Sequence, residues 1–148
     1  MIVICFVLAY LLEDNRDLHK FFGYTLMSAL VLRLIWGVIG THHARFWNFI
    51  PSPPRAISYL IAMLRGSEPR YVGHNPAGAL MIIALIVALS TISATGWMMG
   101  TDRYWGEEWV EDLHADAVNV TLASIALHLG GVIYSILSAW SAPNFHDA

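Results

Sequence analysis

The sequence predicts an all-α integral membrane protein folded as a four-helix bundle. Of its 148 residues, 57% are hydrophobic and only 13% are charged, whereas about a quarter of a soluble domain is charged. The mean hydropathy is +0.55. Four apolar segments follow one another along the chain, and three of them reach the ~20 residues that a membrane-spanning helix needs. The length fits one domain, which we assign to residues 1–148.

The first apolar segment, residues 1–12, is too short to cross a membrane. At ~1.5 Å per residue it covers ~18 Å, against ~30 Å of hydrocarbon. It has no basic region before it and no small-residue cleavage site after it, which disfavours a secretory signal. We expect it to be the outer half of a helix that is truncated at its N-terminus.

The other three segments predict spanning helices at about 21–40, 77–97 and 117–140. Arg33 is the only charged residue within them. Between the second and third segments, three prolines break the chain at positions 51, 53 and 54. The apolar stretch 56–64 that follows predicts a short helix lying on the membrane surface.

The distribution of charge predicts the topology. Loop 41–76 carries four arginines and one acid, whereas loops 13–20 and 98–116 are mostly acidic. The positive-inside rule therefore places loop 41–76 in the cytoplasm and the two acidic loops outside. The net charge of −3 indicates no basic surface for a nucleic acid. The single cysteine, Cys5, excludes a disulfide framework and a cysteine metal site.

Two histidines of the last apolar segment share one helix face. His114 and His128 are 14 residues apart, which at ~1.5 Å and ~100° per residue places them on nearly the same face, roughly 21 Å apart. Histidine inside a membrane is energetically costly and calls for a functional explanation. This separation fits two flat cofactors, one in each leaflet. The obvious cofactor is haem, whose iron accepts imidazole as an axial ligand.

A third histidine completes one of the two levels. His19 lies at the outer entrance of the second helix and His114 at the outer entrance of the fourth. Because both helices run inward, we expect these imidazoles at one depth, where they can ligate one iron from opposite sides. His128 needs a partner deeper in the membrane. Counting back 14 residues from the outer end of the first helix reaches one or two positions before Met1, so we expect that partner just upstream.

Six short motifs carry a resemblance to a known family. They are L-H-K-F-F-G-Y at 18–24, L-R-L-I-W-G-V-I-G at 32–40, A-R-F at 44–46, G-H-N-P-A-G at 73–78, L-H-A-D-A at 113–117 and A-L-H-L-G-G-V at 126–132. Over nearly its whole length the chain resembles the bacterial cytochrome b561 family, which includes the b-type cytochrome subunits of nickel-iron hydrogenases. The resemblance implies a transmembrane cytochrome b bundle in the bacterial inner membrane that holds two b haems, each between two histidines. His19, His114 and His128 match ligand positions, whereas the fourth ligand, early in the first helix, has no counterpart.

Three further residues are candidates for cofactor binding, each with a structural alternative. Arg33 follows His19 by 14 residues and shares its face, so it either pairs with a haem propionate or has a purely structural role. Gly23, one turn beyond His19, makes room either for a macrocycle or for a neighbouring helix. His74 is an interfacial residue that could cap the third helix or contact a propionate or a quinone head group.

Haem iron with two imidazole ligands has no vacant site, so electron transfer is favoured over catalysis at iron. The predicted function is electron transfer between a redox partner at the outer face (hydrogenase, dehydrogenase or c-type cytochrome) and membrane quinone. We expect the acidic outer loop, with Trp105 and Trp109, to dock that partner. One alternative is a donor:quinone oxidoreductase that acts alone, for instance on superoxide. Another is a haem-free membrane anchor or transporter. Whether the chain is an enzyme or forms a homodimer is left open.

Overall fold

A computed structural model describes residues 1–42, 44–48 and 76–141, with isolated positions between 52 and 62. The side chains of residues 76–77 and 134–141 are not described. Two predictions therefore fall outside the described residues. Most of the surface helix expected at 56–64 lies outside the described residues, and so does the whole of His74.

Over the continuous ranges 1–42, 44–48 and 76–141 the chain forms four α-helices, one short 3-10 turn and no strand. The helices are α1 (Ile2–Leu11), α2 (Arg16–Ile39), α3 (Pro76–Met98) and α4 (Glu108–Ser141), and the 3-10 turn is Phe46–Asn48. Three helical stretches are long and apolar enough to cross a membrane, namely Arg16–Ile39, Gly78–Met98 and Glu108–Ile133. The predicted all-α, four-helix membrane architecture is confirmed.

Two helices begin earlier than the apolar pattern predicts. α2 begins at Arg16, because the side chain of Asn15 accepts a hydrogen bond of 3.1 Å from the backbone N–H of Leu18 and so caps the first turn. α4 begins at Glu108, and the carboxylates in its first turn favour a helix N-terminus. The apolar run marks where a helix enters lipid rather than where its backbone begins. The predicted loops 13–20 and 98–116 accordingly shorten to 12–15 and 99–107.

Each helix packs against the next one along the chain, and one core joins all four. The core consists of Cys5, Phe6, Leu26, Leu30, Leu89, Ile92 and Ala117. Large apolar side chains elsewhere, such as Leu32 and Val120, are exposed, as expected for surfaces that face lipid. The guanidinium of Arg16 lies 5.1 Å from the ring centroid of Trp105. The α1–α2 turn and the α3–α4 loop therefore lie at the same end of the bundle, which we call the cavity end.

At the other end of α2, the chain that leaves the helix folds back onto it. Arg33 Nη1 donates a hydrogen bond of 3.4 Å to the carbonyl of Ala44, and its guanidinium lies 5.1 Å from the ring centroid of Phe46. The ring of Phe46 occupies the space that a Cβ on Gly37 would need. Arg33 thus extends from the apolar helix toward a polar acceptor in the following segment, as long cationic side chains do near helix ends.

Truncation of Leu30 in the core should destabilise the bundle. Leu30→Ala removes packing contacts at a position that is 3% exposed, at a cost of about 2 kcal/mol in the free energy of unfolding. Leu32→Ala, on the exposed side of the same helix, is the matched control and should change little. Unfolding of the purified protein in mixed detergent micelles measures both. Equal losses for the two variants would contradict the core assigned here.

Candidate functional site

A cavity of about 540 Å³ opens between the helices at the cavity end. All four helices line it, with Phe6 of α1, His19 of α2, Ser93 of α3 and His114 of α4 among the residues that do so. Its volume lies within the range of about 300–1,000 Å³ that is usual for small-molecule and cofactor sites. The bundle therefore holds space for a ligand at the level where the sequence places two histidines.

The structure brings His19 and His114 together across this cavity. His19 lies in the first turn of α2 and His114 at the end of the second turn of α4, with their ring centroids 6.3 Å apart and their planes inclined by 65°. A first-row metal ion binds an imidazole nitrogen at about 2.0–2.1 Å, and the ring centroid lies about 1 Å behind that nitrogen, so two rings on opposite sides of one ion have centroids about 6 Å apart. The observed separation matches that geometry.

Each imidazole forms a hydrogen bond through Nδ1 to a helix other than the two that carry His19 and His114, namely α1 or α3. His19 Nδ1 lies 2.9 Å from the carbonyl oxygen of Ala9 in α1, one of the last four carbonyls of that helix, which have no partner within it. His114 Nδ1 lies 2.9 Å from Thr95 Oγ1 in α3. A carbonyl can only accept, so His19 carries its proton on Nδ1, and the lone pair of its Nε2 remains for a ligand. Such bonds to the second ring nitrogen are typical of metal-binding histidines.

The wall that α3 contributes contains a hydroxyl without a partner. Ser90, Thr91 and Thr95 each donate to the carbonyl four residues earlier, at 2.7–3.0 Å. Ser93 Oγ is buried and has no hydrogen-bond partner within the described part of the chain. Because buried polar atoms in proteins are nearly always paired, this hydroxyl is available to a polar group or water within the cavity.

Two glycines adjoin the pair of imidazoles. A Cβ on Gly96 would lie 3.3 Å from Cε1 of His114, so glycine lets the ring pack directly against α3. Gly23 lines the cavity, and a Cβ there would meet nothing within 4 Å. Its neighbourhood is thus open space rather than a helix contact, which favours the first of the two roles predicted for it.

The donor set fits haem iron better than a bare metal ion. Among the residues that the structure describes, no group of three or more His, Cys, Asp or Glu side chains could hold a metal ion, whereas structural sites for bare ions such as zinc usually take four ligands. Two opposed imidazoles are what an iron needs when a porphyrin already fills its other four positions. Arg16 and Lys20 also line the cavity, beside Glu13, and offer positive charge to the carboxylates of such a cofactor.

The remaining candidates lie away from this cavity. His128 is exposed on α4, 14 residues beyond His114 and thus roughly 21 Å along the helix axis. Arg33 does not line the cavity, and its contacts with Ala44 and Phe46 favour the structural one of its two predicted roles.

Sequence reasoning did not single out Ala9, Ser93, Thr95 and Gly96 as residues of the site. One signal was present, because α3 concentrates its hydroxyls in S-T-I-S-A-T at 90–95, inside an otherwise apolar span. Hydroxyl side chains in membrane helices often bond across helices. The role of Ala9 rests on its backbone carbonyl, which no side-chain pattern reveals.

The fold and the site together define a class of protein. Apolar helices of membrane-spanning length surround a pocket with two facing imidazoles, which is the arrangement of helical membrane proteins that hold a metal cofactor within their bundle. The chain belongs to the prokaryotic cytochrome b561 family, whose model matches residues 1–139. The predicted resemblance is confirmed, and the family implies haem b as the cofactor.

Two curated relatives are similar to the chain. A protein of Azotobacter vinelandii, named probable Ni/Fe-hydrogenase B-type cytochrome subunit, is 27% identical over 113 residues. A protein of the same name from Azotobacter chroococcum mcd 1 is 26% identical over 113 residues. Each match covers 70% of this chain and 47% of the relative, so the chain spans about half the length of these proteins. No solved structure gives a significant match.

Filling the cavity beside His114 should displace the cofactor. Gly96→Leu places a branched side chain where even a Cβ lies 3.3 Å from the imidazole, so we expect haem binding to weaken on the order of tenfold, as overpacking of a close contact does. Ala94→Leu, on the exposed side of the same helix, adds bulk outside the cavity and should retain haem. Absorbance of the purified variants at the Soret band measures the difference. Full haem content in Gly96→Leu would contradict this placement of the cofactor.

Proposed function

We propose that the chain is a membrane-bound b-type cytochrome that transfers electrons through a haem b held between His19 and His114. One observation carries the proposal: the two imidazoles lie 6.3 Å apart in a shared cavity, and each is bonded through Nδ1 to a neighbouring helix. This arrangement leaves Nε2 of both rings for an iron. When bound, the haem supplies a carrier for single electrons.

The chain's own residues would position the cofactor. His19 and His114 would hold the iron through their imidazoles, and a haem held by two imidazoles supplies electron transfer rather than reaction with oxygen or a substrate. The core around the cavity excludes water. Gly23 leaves open space for a flat ring system beside α2, and Gly96 lets the His114 ring approach α3 closely. Arg16 and Lys20, which line the cavity, would pair with the propionates of the haem.

Removal of either imidazole should release the haem, and an external ligand should restore it. His19→Gly and His114→Gly each leave a gap the size of an imidazole and only one imidazole for the iron, so we expect most of the haem held by this pair to be lost. Addition of free imidazole should recover the low-spin spectrum of the parent protein. The visible spectrum and the pyridine haemochrome yield per chain measure both steps. An unchanged spectrum in either variant would rule out the proposed ligand pair.

We propose that a second haem binds at the level of His128. We place the exchange of electrons with quinone at the end of the bundle opposite the cavity end. The spacing of 14 residues from His114 supports the second level. The haemochrome yield separates one haem per chain from two. The charge distribution supports a bacterial inner-membrane protein with loop 41–76 in the cytoplasm and the cavity end outside.

The electron donor, in this proposal, is a hydrogenase that docks at the cavity end. The names of the two relatives support this choice of partner. The α3–α4 loop and the start of α4 expose a surface of four acids and two tryptophans, which we call the acidic surface: Glu107, Glu108, Glu111, Asp112, Trp105 and Trp109. It adjoins the cavity, because Arg16, which lines the cavity, contacts Trp105.

Neutralisation of the acidic surface should slow reduction by the partner. Replacement of the four acids by their amides removes the field that attracts a basic docking site, so we expect the rate to fall on the order of tenfold at low salt and to lose most of its salt dependence. Stopped-flow reduction of the haem by the donor measures the rate. The haem spectrum, which should not change, is the control. An unaltered rate and salt dependence would place docking elsewhere.

A further inference from the structure

We infer that Thr95 is a positioning residue that fixes the orientation and the proton of the His114 ring and thereby controls the affinity and the potential of the haem. The inference rests on the proposed function and concerns a residue of α3, a helix that supplies no histidine to the cavity. The inference is supported by three contacts of the Thr95 hydroxyl, by the packing around this side chain and by its burial.

The direction of the bond between Thr95 and His114 follows from the number of hydrogens available. Thr95 Oγ1 lies 2.7 Å from the carbonyl oxygen of Thr91 and 3.2 Å from that of Ile92. Both are acceptors, so the single hydroxyl hydrogen is directed to the backbone of α3. The same oxygen lies 2.9 Å from His114 Nδ1 and, with its hydrogen directed to the backbone of α3, accepts there. His114 carries its proton on Nδ1, and the lone pair of Nε2 is available to a ligand.

The surroundings hold the ring in that state. Thr95 is 2% exposed, so water does not compete for its oxygen. A Cβ on Gly96, the next residue, would lie 3.3 Å from Cε1 of the ring, so glycine lets the ring approach α3 closely. With the proton on Nε2 instead, the hydroxyl would have to turn its hydrogen from the carbonyls of α3 to Nδ1, and Nε2 would lose the lone pair that a ligand needs. The ring is thus fixed in orientation by packing on one side and by a directed hydrogen bond on the other.

The bond also acts on the electronic properties of the ligand. An imidazole that donates its Nδ1 hydrogen to an oxygen is a more basic ligand through Nε2. A more basic ligand stabilises oxidised iron relative to reduced iron, which lowers the midpoint potential of the haem. Thr95 therefore contributes both to retention of the haem and to the potential at which it accepts electrons.

The variant Thr95→Val tests this inference, since it replaces the hydroxyl by a methyl group of similar size. We expect the affinity for haem to fall by about 10–100-fold, as for other losses of a partner to a ligating histidine, and the midpoint potential to become more positive. The low-spin electron paramagnetic resonance signal, which reports the orientation and basicity of the axial imidazoles, should shift. Thr95→Ser keeps the oxygen and should restore all three properties.

Thr121→Val is the matched control. Thr121 is 1% exposed and donates to the carbonyl of Ala117 at 2.8 Å, so it is a buried threonine of the same kind. It should leave the potential and the resonance signal unchanged. If Thr95→Val and Thr121→Val behave alike, or if serine at position 95 does not restore the parent values, the inference is overturned while the ligand pair stands. Absence of haem from the unsubstituted protein would instead overturn the proposed function.

Discussion

The constraint on which the site depends is that an imidazole within an apolar bundle must bond at both of its nitrogens. In a low-dielectric interior an unpaired nitrogen is costly, and lipid offers no replacement partner. His19 satisfies Nδ1 with the carbonyl of Ala9, and His114 satisfies Nδ1 with the hydroxyl of Thr95. The two remaining nitrogens share one cavity. All four helices thereby contribute to a single site, two through imidazoles and two through the oxygens that hold them.

The same constraint explains why α3 is rich in hydroxyls although it spans the bundle without a charge. A threonine that bonds its own backbone carries no unsatisfied donor into lipid, yet its oxygen still accepts from a neighbouring helix. Within the described residues, Thr91 bonds only to its own backbone and is partly exposed, whereas Thr95 also accepts from His114 and is buried. Position on the helix, rather than residue type, separates the two.

The sequence predicted the helix number, the membrane character and the level shared by His19 and His114, because apolar length and helical periodicity determine those features. It misplaced the starts of α2 and α4, since the cap at Asn15 and the acidic first turn that begins at Glu108 lie in polar sequence that an apolar pattern ignores. It also left the role of Arg33 open, whose contacts with Ala44 and Phe46 require the chain to turn back. The partners of the imidazoles depend on distances between helices, which no single-sequence pattern contains.

The C-terminus of α1 connects helix length to the chemistry of the cavity. The helix ends at Leu11, so the oxygen of Ala9 is not used by a further turn and remains available to His19. One more turn of helix would consume that acceptor internally. The stopping point of α1 thus decides whether His19 finds an acceptor. An insertion or deletion in the short connection to α2 would alter the histidine site even where it spares Glu13, the residue of that connection that lines the cavity.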